Sequence, residues 1–209
     1  MDNILLYTNP MSRGQIARWA LHEAGADYEQ ILLEYGGSMK DAAFLAVNPM
    51  GKVPAIVHNG RTVTECAAIC AYLADALPEP GLAPSPAERA DYYRWMFFAA
   101  GPVEAAVTNH AAGFDPAPER QMMFGYGDYD RVIDVLDTLF AGRAFVCGDR
   151  FTMADVYVGS QVTWGIQFGT MPRRASLAAY SARVTARPAY LAAKAIDDDL
   201  IASAQAAQG

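Results

Sequence analysis

Residues 48–75 read NPMGKVPAIVHNGRTVTECAAICAYLAD, and this stretch decides the fold. Within it PAIVHNGRTV is predicted as a β-hairpin: two short runs flank His58-Asn59-Gly60, and Asn-Gly is a strong short-range turn signal. A helix is predicted over roughly residues 66–77. Working outward toward the N-terminus, residues 3–7 (NILLY) read as a strand, residues 16–25 (IARWALHEAG) as a helix closed by Gly25, and residues 29–33 (EQILL) as a second strand. The order is β-α-β, an irregular stretch, then β-β-α.

Toward the C-terminus the pattern changes. PEPGLAPSP, residues 78–86, cannot continue a helix and reads as an interdomain linker. Beyond it nearly everything is helical. A helix is expected over about 87–111, and FDPAP (114–118) separates it from the next. In that next helix Tyr129, Val132, Ile133, Leu136, Leu139 and Phe140 keep the three-four spacing of a single apolar stripe. FTMADV, residues 151–156, carries a capping box: Thr152 is placed to accept from the amide of Asp155, whose carboxylate reaches back to the amide of Thr152. Phe151 and Val156 occupy the positions of a hydrophobic staple. The alanine-rich residues 189–207 read as a last helix fraying into a disordered end.

The composition narrows the function classes. A net charge of −7, with no dense basic run, gives a nucleic-acid role no electrostatic support. With 53% apolar and 19% charged residues the chain suits a packed, soluble protein, and no apolar run approaches membrane-spanning length. The chain opens on Asp2 and a short apolar run instead of a basic leader, so no secretory signal is expected. Cys66, Cys70 and Cys147 cannot all pair, and they show no metal-ligand spacing with His22, His58 or His110. No metal is therefore expected, and a reducing, cytoplasmic compartment fits.

The opening stretch also resembles the glutathione-binding half of the glutathione S-transferase superfamily. The resemblance is carried by Asn48, Pro49, Gly51, Lys52, Val53 and Pro54, then by Glu65, Ile69, Tyr72 and Leu73. The box in FTMADV is similar to that family's second-domain landmark, and RPAYLAA (187–193) to its C-terminal helix. The resemblance implies an α/β thioredoxin-like N-terminal domain (1–80) followed by an all-α C-terminal domain (86–209), of the cytosolic, bacterial, serine- or cysteine-type. It implies glutathione as co-substrate, a small electrophile as second substrate, a detoxification role and a homodimer. It also implies a cis bond between Val53 and Pro54, rare outside X-Pro pairs and uncommon within them, and glutathione contacts at Lys52, Val53, Pro54, Glu65 and Cys66. At the start of the helix after the hairpin, free amides and the helix dipole favour the γ-glutamyl carboxylate, while Glu65 faces the α-ammonium. Cys66 stands where the family carries serine, and a thiol is the weaker donor; the alternatives are a tolerated replacement or a reactive thiol. Cys70, one turn on, reads as core packing.

Such an enzyme needs no protein nucleophile, because glutathione brings its own thiol. What is needed is a donor that favours thiolate over thiol. In TNPMSRGQ, residues 8–15, that donor is read as Ser12. The family's usual position falls on Met11, so Tyr7, Asn9 and the backbone amides of Ser12 and Arg13 stay open as alternatives, and Ser12 can also serve as a helix N-cap. Glutathione-dependent disulfide or peroxide reduction, and a non-catalytic binding protein, remain alternative functions.

Overall fold

A computed structural model describes residues 3–207, so Asp2 lies outside the described residues. The contacts of the chain form two compact units: residues up to Leu82 together with those from Ala186 onward, and Ala83–Thr185.

The first unit is built on a four-stranded mixed sheet. Strands β1 (Ile4–Thr8), β2 (Glu29–Leu32), β3 (Ala55–His58) and β4 (Arg61–Thr64) take the order β2-β1-β3-β4. β1 runs parallel to β2 through the crossover helix α1 (Gly14–Glu23) and antiparallel to β3. The hairpin β3–β4 turns where the sequence places it: Asn59 and Gly60 both have positive φ, 50° and 76°, the pair of left-handed residues that a tight hairpin requires. This is the thioredoxin-like arrangement expected from the sequence.

Alternation along the strands sorts the two faces of the sheet. Ile4, Leu6, Thr8 and Ile56 are fully or almost fully buried on one face. α1 and α3 (Cys66–Ala76) pack together and against the sheet. Tyr7 and Ala55 point the other way, into a small core with Leu33, Met39 and Phe44, the last two from a 3₁₀ turn (38–40) and the short helix α2 (Ala42–Leu45). The last helix, α9 (Pro188–Ala206), packs on α1. It runs unbroken to Ala206, so the frayed, disordered end expected from its composition is a continuous helix instead. Two long-range contacts anchor the helix as far as Asp197, which is fully buried and accepts from Arg18 Nε at 3.0 Å, while Arg187 grips Glu23 through two bonds of 2.6 and 2.7 Å.

The second unit is helical. α4 (Arg89–Phe98) and α5 (Glu104–Ala111) replace the single helix expected over 87–111, with one π-helical turn, Ala99–Val103, between them. Pro102 lies in that turn; it has no N–H and its ring crowds the carbonyl four residues back, and a wider turn relieves both. α6 (Tyr129–Gly142) buries the predicted stripe from Val132 to Phe140 and leaves Tyr129, at its start, half-buried; its cap is Asp128, which accepts from the Arg131 amide at 2.8 Å. α7 (Met153–Gln167) opens on the predicted capping box, and α8 (Ala175–Thr185) packs on it. No helix among the described residues is long and apolar enough to cross a membrane.

The box does more than end a helix. The fully buried Asp155 carboxylate accepts from the amides of Thr152 (2.9 Å) and Val146 (2.8 Å) and from the hydroxyl of Tyr180 (3.0 Å). One side chain thus fixes the start of α7, the preceding loop and the middle of α8. Thr152→Ala is expected to lose about 1 kcal/mol of stability, and Asp155→Ala about 3 kcal/mol or more, because it strands several buried donors at once. Denaturant melts that rank the two variants the other way would refute this assignment.

Burial pushes the Asp155 carboxyl up to about 6, against the pull of those donors. A raised folded-state value means that the native state holds the proton more tightly than the unfolded chain. The associated stability is therefore complete below about pH 4 and is lost as pH rises through about 6. Stability measured across this window is expected to fall less with rising pH in Asp155→Asn than in the wild type.

Candidate active site

The loop after β1 is a tight turn organised by Asn9. Its side-chain oxygen accepts from the Met11 amide (2.9 Å), its side-chain amide donates to the Leu33 carbonyl (2.7 Å), and its own carbonyl accepts from the Ser12 amide (3.1 Å) and hydroxyl (2.6 Å). Ser12 Oγ accepts in turn from the Gly14 amide at 2.9 Å. The cap position of α1 is Arg13, one residue later than expected, and Ser12 braces the first turn from outside the helix. Ser12 is half-buried and Met11 is 72% exposed. Tyr35 reaches the rim of this turn, its hydroxyl donating to the Met11 carbonyl at 3.4 Å.

The candidate donors therefore separate. The Asn9 amide is tied to Leu33, and the Ser12 backbone amide to Asn9. Tyr7 lies on the opposite face of the sheet from Thr8, its ring tilted against Phe44 at a centroid distance of 5.5 Å. Among the residues of the turn itself, Ser12 carries a side-chain proton that can be redirected by rotation about one C–O bond.

The second element is the loop 48–54. Asn48 is buried and organises it as Asn9 does the first, its amide donating to the Lys52 carbonyl at 2.7 Å and its oxygen accepting from the Met50 amide at 3.1 Å. Gly51 has φ +58°, and any Cβ there would come within 2.8 Å of the Met39 carbonyl. The Val53–Pro54 bond is cis, as expected. Val53 packs at the edge of the small core, Pro54 is buried and Lys52 is exposed. Lys40, which the sequence did not single out, donates from Nζ to the Gly51 carbonyl at 2.9 Å. It stands eleven residues away, on a turn with no motif of its own.

The third element is the start of α3. Glu65, exposed, holds φ +65° and ψ +117°, a conformation that a non-glycine residue adopts only at a cost of about 1–3 kcal/mol. Cys66, almost fully buried, donates from Sγ to the Arg13 carbonyl at 3.3 Å. Its side chain thus links the start of α3 to the turn after β1. Cys70 is fully buried, and burial, reinforced by the neighbouring Cys66, pushes its thiol well above the ordinary range. It is core packing, as read from the sequence.

With this geometry in view, the comparisons place the chain. Residues 3–75 match the family model described as glutathione S-transferase, N-terminal domain. A sphingomonad glutathione S-transferase solved in complex with glutathione aligns over 93% of this chain and 98% of its own length, with a TM-score of 0.75 and 30% identity. The maleylacetoacetate isomerase of Pseudomonas aeruginosa is 31% identical over 166 residues, which is 73% of this chain and 76% of the relative. The disulfide-bond oxidoreductase YghU of Escherichia coli is 31% identical over 151 residues, 66% of this chain and 51% of that protein. The chain belongs to the glutathione S-transferase superfamily.

Gly14 is the tightest point of the site. A Cβ there would lie 1.9 Å from Thr8 Oγ1 and 3.0 Å from Ser12 Oγ, on a fully buried and stiff neighbour. Gly14→Ala is expected to cost about 1–3 kcal/mol in denaturant melts, well beyond the gain that alanine brings to an ordinary helical position. A variant as stable as the wild type would mean that the turn is looser than described.

Proposed function

We propose that the chain binds glutathione on its first unit, activates it as a thiolate with the hydroxyl of Ser12, and conjugates it to a small electrophile. The observation that carries this reading is the Ser12 hydroxyl itself: half-exposed, on a turn where the amides of Met11, Ser12 and Gly14 and the Asn9 side chain are committed, and held by the same Arg13 peptide that Cys66 grips from the start of α3. When the Ser12 proton turns from the Asn9 carbonyl to sulfur, that carbonyl keeps the Ser12 amide as a partner, so one bond is exchanged and nothing buried is stranded.

The tripeptide is assigned to Lys52, Val53, Pro54, Glu65 and Cys66. The Val53 backbone offers an extended edge to the cysteinyl unit, and the first amides of α3 receive the γ-glutamyl carboxylate, where the helix dipole favours negative charge. Glu65 faces the α-ammonium, and the strain in its backbone supports a binding role over a purely structural one. Cys66 acts less as a carboxylate donor than as the link to Arg13. In the reaction the thiol proton leaves to solvent, the thiolate forms the new S–C bond, and the electrophile expels its leaving group or takes up a proton. Lys52 and Lys40 add positive charge for the other end of the peptide.

The same reading takes the chain as a cytoplasmic homodimer with a glutathione-binding domain at 1–80 and a helical domain at 86–209. A second reading, glutathione-dependent disulfide reduction, is favoured by the likeness to YghU, which matches that to the isomerase in identity. It uses the same activated thiol.

Ser12→Ala is expected to lower conjugation turnover about a hundredfold while leaving glutathione affinity within about twofold. Steady-state kinetics with an activated aryl chloride, paired with calorimetric titration of glutathione, check both halves. Turnover that survives the substitution removes Ser12 from the role, and turnover of a glutathione mixed disulfide in place of the aryl chloride favours the second reading.

A further inference from the structure

Thr8, the last residue of β1, is completely buried, and its hydroxyl has no hydrogen-bond partner among the described residues. Such a group is costly, roughly 1–3 kcal/mol, and valine would fill the same space without the cost. Its position is informative. A Cβ on Gly14 would touch both Thr8 Oγ1 and Ser12 Oγ, so the missing side chain of Gly14 is the gap between the two hydroxyls. Ser12 Oγ has two lone pairs; the Gly14 amide takes one, and no bond from the described residues fills the other. An unplaced proton and an open lone pair thus face one space.

We propose that Thr8 is a positioning residue for the thiolate donor. As Ser12 turns its proton from the Asn9 carbonyl toward sulfur, the Thr8 hydroxyl donates across the Gly14 gap to Ser12 Oγ. Ser12 then accepts two hydrogen bonds, from the Gly14 amide and from Thr8, while it donates one. Accepting both polarises its O–H and makes it a stronger donor to a thiolate. No proton changes owner; only hydrogen bonds are exchanged. Being fully buried, Thr8 touches no substrate and acts only through Ser12. This inference rests on the reading of Ser12 as the donor.

The test is Thr8→Val, alone and combined with Ser12→Ala, read by ultraviolet titration of the thiolate of bound glutathione and by thermal melting. The expected result for Thr8→Val is a protein at least as stable as the wild type, because an unpaired buried hydroxyl has been removed. In it the bound thiol titrates about half a unit higher and neutral-pH turnover falls about threefold. Thr8→Ser is expected to restore the titration midpoint. In the Ser12→Ala background, Thr8→Val should shift nothing further. If Ser12→Ala raises the midpoint and Thr8→Val does not, the relay is wrong and the donor stands. If Thr8→Val shifts the midpoint equally with and without Ser12, Thr8 does not act through Ser12 and the proposal fails. If Ser12→Ala leaves the midpoint in place, the donor assignment itself falls and the relay with it.

Discussion

The four hydrogen bonds of Asn9 are what the rest of the site depends on. They convert the end of β1 into a turn narrow enough that α1 begins immediately over the sheet, and they fix where Ser12 projects. An apolar residue in place of Asn9 would leave the Met11 amide and the Leu33 carbonyl to find other partners. Under the proposed reading the Asn9 carbonyl, which holds both the amide and the hydroxyl of Ser12, is also a reversible rest position for the hydroxyl. That combination, a rigid backbone with one rotatable proton, is what electrostatic preorganisation asks of a thiolate-stabilising group.

The first unit is assembled so that this turn cannot drift. Cys66 pins the Arg13 carbonyl from α3, and α9 holds α1 from the far end of the chain. Arg18, whose Nε binds Asp197, also donates to the Tyr28 hydroxyl at 2.9 Å, at the approach to β2. Burial alone would lower the Arg18 guanidinium, but Asp197 and Tyr28 outweigh it and hold it fully charged. Asp197 is pushed up by burial and drawn back by Arg18. A buried pair of this kind contributes little net stability, yet removing one partner is expensive. Its value lies in register: α9 can pack on α1 in only one way that leaves neither charge alone. Glu23, bonded both to Trp19 and to Arg187, repeats the same constraint one turn farther along α1.

Legibility in the sequence followed the range of the interactions. The Asn59-Gly60 hairpin, the stripe on α6 and the box at Thr152 and Asp155 are local, and each was readable from spacing alone. The family resemblance supplied the cis bond at Val53–Pro54 and the place of Glu65, neither of which physical pattern identifies. The π-helical turn at Pro102 was missed because a proline within a helical pattern either ends a helix or is absorbed by it, and packing decides which. The docking of α9 on α1 was missed because it is made by Asp197 and Arg18, 179 residues apart, a contact that no local pattern announces. Ser12 was legible as a residue type, but the direction of its proton was not, since that depends on Asn9 and Gly14 together.

Thr8 marks the boundary of what a pattern can say. Alternation along β1 puts residue 8 on the buried face, where threonine and valine are almost equivalent in shape. Nothing in the alternation distinguishes a hydroxyl that is tolerated from one that is used. The distinction comes from what lies beside it: a glycine that must remain glycine, and beyond that a serine with a free lone pair. A site that has to stabilise charge only when its ligand arrives must hold some bonding capacity in reserve. In the first unit the unbonded hydroxyl of Thr8 is such a reserve beside the turn after β1, and the backbone of Glu65 is strained at the start of α3. Both lower the stability of the free protein. Cys66, bonded to the Arg13 carbonyl, joins the start of α3 to the turn after β1, which is the physical reason to consider Glu65 and Thr8 together.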